Sequence, residues 1–262
     1  MKNKTIKEYK TRASIWIWQL LSLAAAILLW FVLSKIPKTS RSFPFATQVI
    51  PAIKTMIERD VLWKDFASSI ISILAGFALG FVTALPVGFL MAWYRPVQKI
   101  LEPWIQFVRN IPALAYVPLV VISVGVGRKP QIIVIWLACF MTTSIMIYQG
   151  IKSVDLTLIK AARVLGAEDR DIFFKVIIPA TTPFVITAVR LGLSAALTTL
   201  IASESTGAVA GMGMRIRSLS NTFETAPMLL YIILVGIIGM TFSKIVDIAE
   251  RRLTGWQEKI EL

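Results

Sequence analysis

The sequence of 262 residues contains no histidine and a single cysteine, Cys139. These two counts exclude a zinc site and an imidazole general base in this chain. One cysteine also excludes an intrachain disulfide. Cys139 lies in an apolar run, so we expect it to pack as a small hydrophobic side chain.

Charge is scarce as well. Charged residues make up 16% of the chain and hydrophobic residues 56%, with a mean hydropathy of +0.72. An average soluble domain has about 25% charged and about 45–50% apolar residues. Such hydrophobicity excludes a disordered chain, and no 20–50-residue repeat indicates a solenoid. The net charge of +13 is compatible with nucleic-acid binding, but the apolar runs favour basic loops at a cytoplasmic membrane face and therefore no nucleic acid.

The apolar runs predict an all-α membrane protein with six transmembrane helices. Each run was compared with the roughly 20 apolar residues that a helix needs to cross a bilayer. In lipid these segments must be helices, because every backbone polar group needs an internal partner. We place the membrane domain at 15–246, between an N-terminal segment 1–14 and a C-terminal tail 247–262. The six spans are 15–34, 66–94, 110–127, 130–151, 181–203 and 225–243.

The distribution of basic residues predicts the orientation. With the N-terminus inside, the cytoplasmic segments hold sixteen lysines and arginines and the outer segments nine. This bias places both termini in the cytoplasm, although the pair Arg128–Lys129 in an outer turn counts against it. The first span has 20 uncharged residues, too long for a signal peptide, so we expect it to be retained.

Small residues recur at every fourth position of the second span. This spacing puts them on one helical face, where another helix can approach closely. A seam between two copies of the chain is the alternative interpretation. The residues are Gly76, Gly80, Ala84 and Gly88, and Gly192 begins a similar face in the fifth span.

The loop 152–179 is too polar to span a membrane and too patterned to be a linker. Asp155 is suited to cap a helix, and Gly166 to end it in the left-handed conformation. Acidic residues then begin a second helix, which we expect Pro179 to close. The predicted helix–turn–helix projects into the cytoplasm, with a small patch at Ala161 and Ala162, and suits docking into a groove on a soluble partner.

This loop resembles the cytoplasmic loop of importer permeases of the ATP-binding cassette (ABC) superfamily. The family pattern is Glu-Ala-Ala, three residues, Gly, nine residues, then Ile-x-Leu-Pro. The chain has Lys160 in place of the glutamate, but the spacing from Ala161 to Gly166 and on to Pro179 is intact. The resemblance implies that the ATPase is contacted through Lys160, Ala161, Ala162, Gly166, Ala167 and Pro179.

Further segments within residues 44–257 resemble the branch that imports sulfonates, taurine and nitrate. They are Asn110–Leu119, Arg190–Leu193, Glu204 with Gly207, Gly211–Gly213 and Glu250–Trp256.

The resemblance implies a type I ABC importer permease fold in the bacterial inner membrane. It also implies a homodimer with two ATPase subunits and an extracytoplasmic solute-binding protein. The translocated solute is expected to be a small anion. Because no G-x-x-x-x-G-K-[ST] occurs, ATP and Mg are expected on the separate ATPase, and this chain is expected to be a non-catalytic subunit without cofactor or metal.

Three residues are candidates for the translocation pathway: Asn110, Arg190 and Glu204. Arg190 follows Pro179 by eleven residues, about 16 Å along a helix and thus near mid-bilayer. It either attracts an anion or gates the path, or it makes a structural bond. Glu204 follows Pro179 by 25 residues, about 37 Å, so we expect it at the outer rim, where a solvated carboxylate is the simpler interpretation.

Two other functions remain as alternatives. A secondary transporter or channel would need coupling carboxylates inside its helices, and none of the six spans contains an aspartate or a glutamate. An intramembrane enzyme would need a nucleophile motif or an acid pair, and no G-x-S-x-G occurs. Co-purification of an ATPase would separate an importer from both.

The predicted topology is tested by labelling engineered cysteines from outside the cell. A membrane-impermeant thiol reagent is expected to modify Ser220→Cys and to miss Asp171→Cys, because the charge bias places these residues on opposite sides. The opposite pattern would overturn the topology.

Overall fold

The computed structural model describes residues 2–36, 39 and 43–255, and these ranges are helical without a strand. Trp256 of the C-terminal resemblance lies outside the described residues, as do Lys38, Arg41 and Lys259 of the charge comparison. The all-α fold predicted from the apolar runs is confirmed.

The helices follow one another with short connections. In chain order they are α1 (Lys2–Lys35), α2 (Ala46–Glu58), α3 (Leu62–Trp93), α4 (Arg95–Arg109), α5 (Ala113–Val124), α6 (Arg128–Lys152), α7 (Leu156–Val164), α8 (Asp169–Asp171), a π-helical turn (Ile172–Ile177), α9 (Ile178–Gly207), α10 (Met212–Asn221) and α11 (Thr225–Leu253).

Among the described residues, five helices are individually long and apolar enough to cross a membrane. They correspond to the predicted first, second, fourth, fifth and sixth spans. Helices α4 and α5 pass the same test only when they are counted together, and because their axes differ by 99° they form either one broken span or a re-entrant segment. The structure therefore shows five long apolar helices among the described residues, and the number of six spans stays a prediction.

The broken pair corrects the prediction of one continuous helix over 110–127. Helix α5 has only 12 residues, about 18 Å of length, against a hydrocarbon core of about 30 Å. Pro112 breaks the segment, because the residue before a proline is disfavoured in the α conformation. Helix α4 precedes this break, and its axis runs nearly perpendicular to that of α5.

Neither predicted boundary of the membrane domain coincides with a helix end. Helix α1 is continuous across residue 15, and α11 continues past residue 246 to Leu253. The division into 1–14, 15–246 and 247–262 therefore remains a prediction about which residues leave the bilayer.

Helices α3 and α6 pack at backbone distance. A Cβ added at Gly76, Gly80 or Gly88 would lie 2.6, 2.6 or 2.8 Å from the nearest side-chain atom of α6. Ala84, between them, is fully buried. The four-residue spacing therefore faces α6 within the same chain.

The other face of α6 packs against α9. Gly192 of α9 faces Thr143, and its carbonyl accepts a hydrogen bond from the Cys139 thiol at 3.2 Å. Cys139 is buried, as expected for a small apolar side chain. Helix α11 and the short helix α2 complete the core, α2 through Val49 and Met56.

Helix α1 stands apart from this core. Its side chains from Ile17 to Val32 are mostly exposed, as expected for a lipid-facing helix. Its contacts concentrate near its end, where the Trp30 indole donates a hydrogen bond to the Pro44 carbonyl at 3.0 Å and Phe31 packs edge-on against Phe45.

The close contact predicts that Gly80→Ala destabilises the protein. The new methyl carbon would lie 2.6 Å from Cys139 Cβ and 3.0 Å from the Trp136 carbonyl oxygen, and overpacking of this kind costs about 1–3 kcal/mol. The matched control is Gly236→Ala in α11, where a Cβ meets open space and alanine favours the helix by up to about 1 kcal/mol. Melting of the purified protein in detergent is the measurement, and equal melting temperatures for the two variants would contradict the packing.

Candidate functional site

Asp65 is the centre of a buried polar network at the end of the bundle opposite the loop 152–179. Its Oδ1 accepts the Gly211 N–H at 3.0 Å, and its Oδ2 accepts Arg215 Nε at 2.7 Å and the Tyr231 hydroxyl at 3.1 Å. The carboxylate is fully buried, and Arg215 neutralises it. Asp65 thereby ties α3 to α10 and α11.

Glu204 is the second carboxylate of the network. Its Oε2 accepts the Gly213 N–H at 2.7 Å, and its Oε1 accepts the Ser69 hydroxyl, also at 2.7 Å. Ser69 in turn accepts the Met212 N–H at 2.9 Å. The two carboxylates and this serine therefore satisfy N–H groups at the start of α10, which lack partners within their own helix.

The burial of Glu204 contradicts the expectation of a solvated carboxylate at an outer rim. The residue is 1% exposed, because the chain beyond α9 folds back over it as α10. Gly211 makes this return possible, since its φ of +145° suits glycine and a Cβ there would overlap the Glu204 carboxylate.

Sequence reasoning missed Asp65 and the serines that follow it. Ser68, Ser69 and Ser72 are buried in a span that is otherwise apolar. Buried hydroxyls in such a span need partners, and Ser72 bonds to Gln131 of α6 at 2.9 Å. Their clustering next to Asp65 was the available signal.

Arg190 makes a structural bond between α9 and α11. Its guanidinium lies 2.8 Å from Asp247 and 2.5 Å from Glu250. These partners belong to the last two turns of α11, next to Arg251 and Arg252. The structure thus favours the structural role of Arg190, because its charge is already paired with two carboxylates, while its depth in the bilayer stays a prediction.

A cavity of about 510 Å³ lies between α5, α6, α9 and the elbow that joins α4 to α5. We call it the elbow cavity. Asn110 lines it, and its amide donates to the Gln106 carbonyl at 2.8 Å. Arg190 and Glu204 do not line it, so the structure does not bring the three pathway candidates together. The polar lining residues are Arg109, Asn110, Tyr116, Thr142, Thr198 and Thr199.

The loop 152–179 begins with the capped helix α7. Asp155 accepts the Thr157 N–H at 2.8 Å, and this hydrogen bond holds the pKa of Asp155 below its usual value. At the other end, Ala167 N–H bonds to the Ala162 carbonyl and Gly166 N–H to that of Arg163, both at 3.0 Å. With Gly166 at φ +83°, this is a Schellman turn, as the glycine suggested.

The second half of the loop differs from the prediction. Pro179 does not close a helix, because α8, the π-helical turn and α9 follow without a break. The turn is wide, with the Ile178 N–H bonded to the Phe173 carbonyl five residues earlier. Proline has no N–H and clashes with the carbonyl four residues before it, and the wider turn relieves this conflict ahead of Pro179.

The tip of the loop is apolar and faces outward. Val164 and Leu165 are 88% and 86% exposed, and Lys160 and Ala161 are exposed beside them. Ala162 and Ala167 are half-buried against the turn. Across the turn, Arg163 pairs with Asp169 at 3.2 Å.

Aromatic packing connects the loop to α3. The Phe173 ring meets Trp93 and Phe89 edge-on, at centroid distances of 5.3 and 5.6 Å. The loop is therefore held to the bundle at its base while its tip stays exposed.

Comparison with known proteins agrees with this architecture. Residues 76–255 match the family described as binding-protein-dependent transport system inner membrane component. A probable ABC transporter permease of Brucella abortus is 40% identical over 240 residues, 92% of this chain and 95% of that protein. The taurine transport system permease protein TauC of Escherichia coli is 30% identical, over 92% and 90% of the two chains.

Two further comparisons concern function and fold. A putative aliphatic sulfonates transport permease of Bacillus subtilis is 29% identical over 94% of this chain and 90% of that protein. Among solved structures, an inward-facing methionine ABC transporter superposes with a TM-score of 0.66 at 20% identity, covering 75% of this chain and 97% of that one. The expected type I importer permease fold is confirmed.

The polar network predicts that Asp65→Asn destabilises the protein strongly. The substitution leaves Arg215, whose side chain is 24% exposed, without its counter-charge, and breaking a buried pair costs about 3 kcal/mol or more. The matched control is Glu224→Gln, which breaks the exposed pair with Arg59 at 3.7 Å and should cost less than about 1 kcal/mol. Thermal unfolding in detergent measures both, and a loss for Asp65→Asn no larger than the control's would show that the network does not hold α10.

Proposed function

The chain belongs to the family of binding-protein-dependent transport system inner membrane components, and we propose that it is the pathway-forming subunit of an ATP-driven importer. In this proposal two copies of the chain form the path. Two copies of a separate ATPase bind ATP and Mg and drive it, and an extracytoplasmic solute-binding protein delivers the solute. Both termini and the loop 152–179 lie on the cytoplasmic side of the inner membrane.

The exposed tip of the loop carries this proposal. Val164 and Leu165 are apolar and almost fully exposed, in a turn held by a glycine and two backbone hydrogen bonds. A rigid apolar projection outside the spanning helices suits a hydrophobic groove on a soluble partner. The chain has no phosphate-binding loop of its own, so we assign the ATPase to that groove.

The base of the loop supplies a route for coupling. Movement of the tip reaches α9 through the continuous π-helical turn, and it reaches α3 through the ring of Phe173. Both helices pack against α6, so a push on the tip acts on the helices that surround the elbow cavity.

A second copy of the chain would complete the path on the side where this chain leaves the elbow cavity open. Leu114, Leu119 and Ile122 of α5 are exposed beside the elbow cavity. A contiguous apolar surface of this kind next to a polar-lined cavity suits a protein neighbour. We propose that the neighbour is the second permease copy and that the elbow cavity lies on the path between the copies.

The solute is proposed to be a small molecule with an anionic group, such as an aliphatic sulfonate, nitrate or the zwitterion taurine. The names of two relatives, a taurine permease and an aliphatic sulfonate permease, support this class.

Substitution of Gly166 tests the ATPase-coupling role. Gly166→Leu is expected to abolish or strongly reduce capture of the ATPase and ATP-driven uptake, because leucine disfavours the left-handed turn by about 1 kcal/mol or more and adds bulk at the tip. The protein should still reach the membrane, since a Cβ at Gly166 meets no atom within 4 Å.

The matched control is Gly125→Leu. Gly125 has nearly the same backbone angle, with φ of +86° against +83°, and the same open surroundings, but it lies at the other end of the bundle. Capture of the ATPase in detergent should be unchanged by this variant. Normal ATPase capture and uptake with Gly166→Leu would remove the loop from the mechanism.

A further inference from the structure

We propose that the elbow cavity is an anion-binding station and that Arg109 is the residue that selects for negative charge within it. The inference rests on the proposed function, which makes the elbow cavity part of the transport path. The preference of the cavity for negative charge depends only on the residues that line it.

The break between α4 and α5 places Arg109 at the cavity. Arg109 is the last residue of α4, and the chain turns by 99° between the two helices. The Asn110 amide holds the end of α4 by its hydrogen bond to Gln106. The C-terminal end of α4 and the N-terminal end of α5 meet here, and their opposite partial charges roughly cancel. The positive charge of the Arg109 guanidinium is therefore the charge that remains at this end of the cavity.

Arg109 is the only charged residue among those that line the cavity. No carboxylate lies in the lining, and no ion pair involves Arg109 among the described residues. The other two arginines considered above differ in this respect, because Arg190 is paired with Asp247 and Glu250 and Arg215 with Asp65. Arg109 is exposed to solvent and lines an open cavity, and an unpaired cation in a cleft with mostly apolar walls attracts anions and repels cations.

The neutral polar groups of the cavity complement this charge. In the described structure the hydroxyls of Tyr116 and Thr142 make no hydrogen bond within the chain, so both can donate to a ligand. Thr198 and Thr199 instead donate to carbonyls of their own helix, at 3.0 and 2.7 Å. The available donors are thus the guanidinium, a phenol and a hydroxyl, which suits the several oxygens of a sulfonate or similar oxyanion.

The size of the cavity agrees with a small ligand. Its volume of about 510 Å³ lies in the range of pockets that hold small molecules, about 300–1,000 Å³. Most of the remaining lining is apolar, including Leu137, Ala138 and Met141, and can accommodate a short aliphatic chain behind an anionic head.

A cysteine placed in the cavity measures its electrostatic potential without transport. We choose Ala195→Cys, which lines the cavity on α9, in the complex with its ATPase. Two methanethiosulfonate reagents are compared, one bearing a sulfonate and one a trimethylammonium group. The native Cys139 is buried, and the unsubstituted complex gives its background reaction.

With Arg109 present, the thiol should react preferentially with the sulfonate reagent. Arg109→Gln is expected to lower the ratio of the two rates about tenfold, since the reagents differ by two charges. Arg109→Lys should keep most of the preference. The matched control is Lys99→Gln, which removes an exposed basic residue of the same helix that does not line the cavity, and should change the ratio less than twofold. A ratio that Arg109→Gln leaves unchanged overturns the proposal.

Uptake separates this inference from the proposed function. In proteoliposomes with the ATPase and the binding protein, Arg109→Gln should reduce ATP-driven uptake of the anion methanesulfonate about tenfold at equal assembly, and uptake of the zwitterion taurine less, with partial recovery in Arg109→Lys. Uptake equal to that of the unsubstituted complex would overturn the selecting role of Arg109. If the unsubstituted complex takes up neither probe, the sulfonate assignment of the proposed function fails, while the reagent ratio still decides the electrostatic role.

Discussion

The contact between α3 and α6 is the constraint on which the rest of the bundle depends. It brings two backbones together through three glycines and one alanine, and van der Waals packing of this kind is what holds helices together in lipid. With one face of α6 fixed to α3, its other face is left for α9. Helix α5 is too short to cover α6 and α9 along their full length, and the elbow cavity is the space left beside it.

Ion pairs join further helices of the bundle. Asp65 and Arg215 neutralise each other while they fix α10, and Arg190 joins α9 to α11 through two carboxylates. The buried pair of Asp65 and Arg215 contributes to the correct placement of α10, although its desolvation offsets much of the attraction. Arg109 forms no ion pair among the described residues, and its charge is therefore available to a ligand.

The sequence predicted those features that depend on neighbouring residues. Uncharged runs located the spans, four-residue spacing located the tight face of α3, and Asp155 and Gly166 located both ends of α7. Features that depend on distant partners were not accessible in this way. Glu204 was expected in water because nothing local shows that α10 folds over it, and Arg190 was placed by counting residues because its partners lie about sixty positions away. The elbow is not apparent from the sequence because α4 carries charges on one side and apolar residues on the other, so it contains no long uncharged run.

The isolation of α1 has a consequence for biogenesis. This helix makes few contacts with the core and lies outside the matched residues 76–255. A hydrophobic helix with satisfied backbone groups is stable in a bilayer on its own, so α1 needs no completed bundle to remain inserted. It can enter the membrane while the ribosome is still making α3, and the lysines in its first three turns then bias the orientation of the helices that follow.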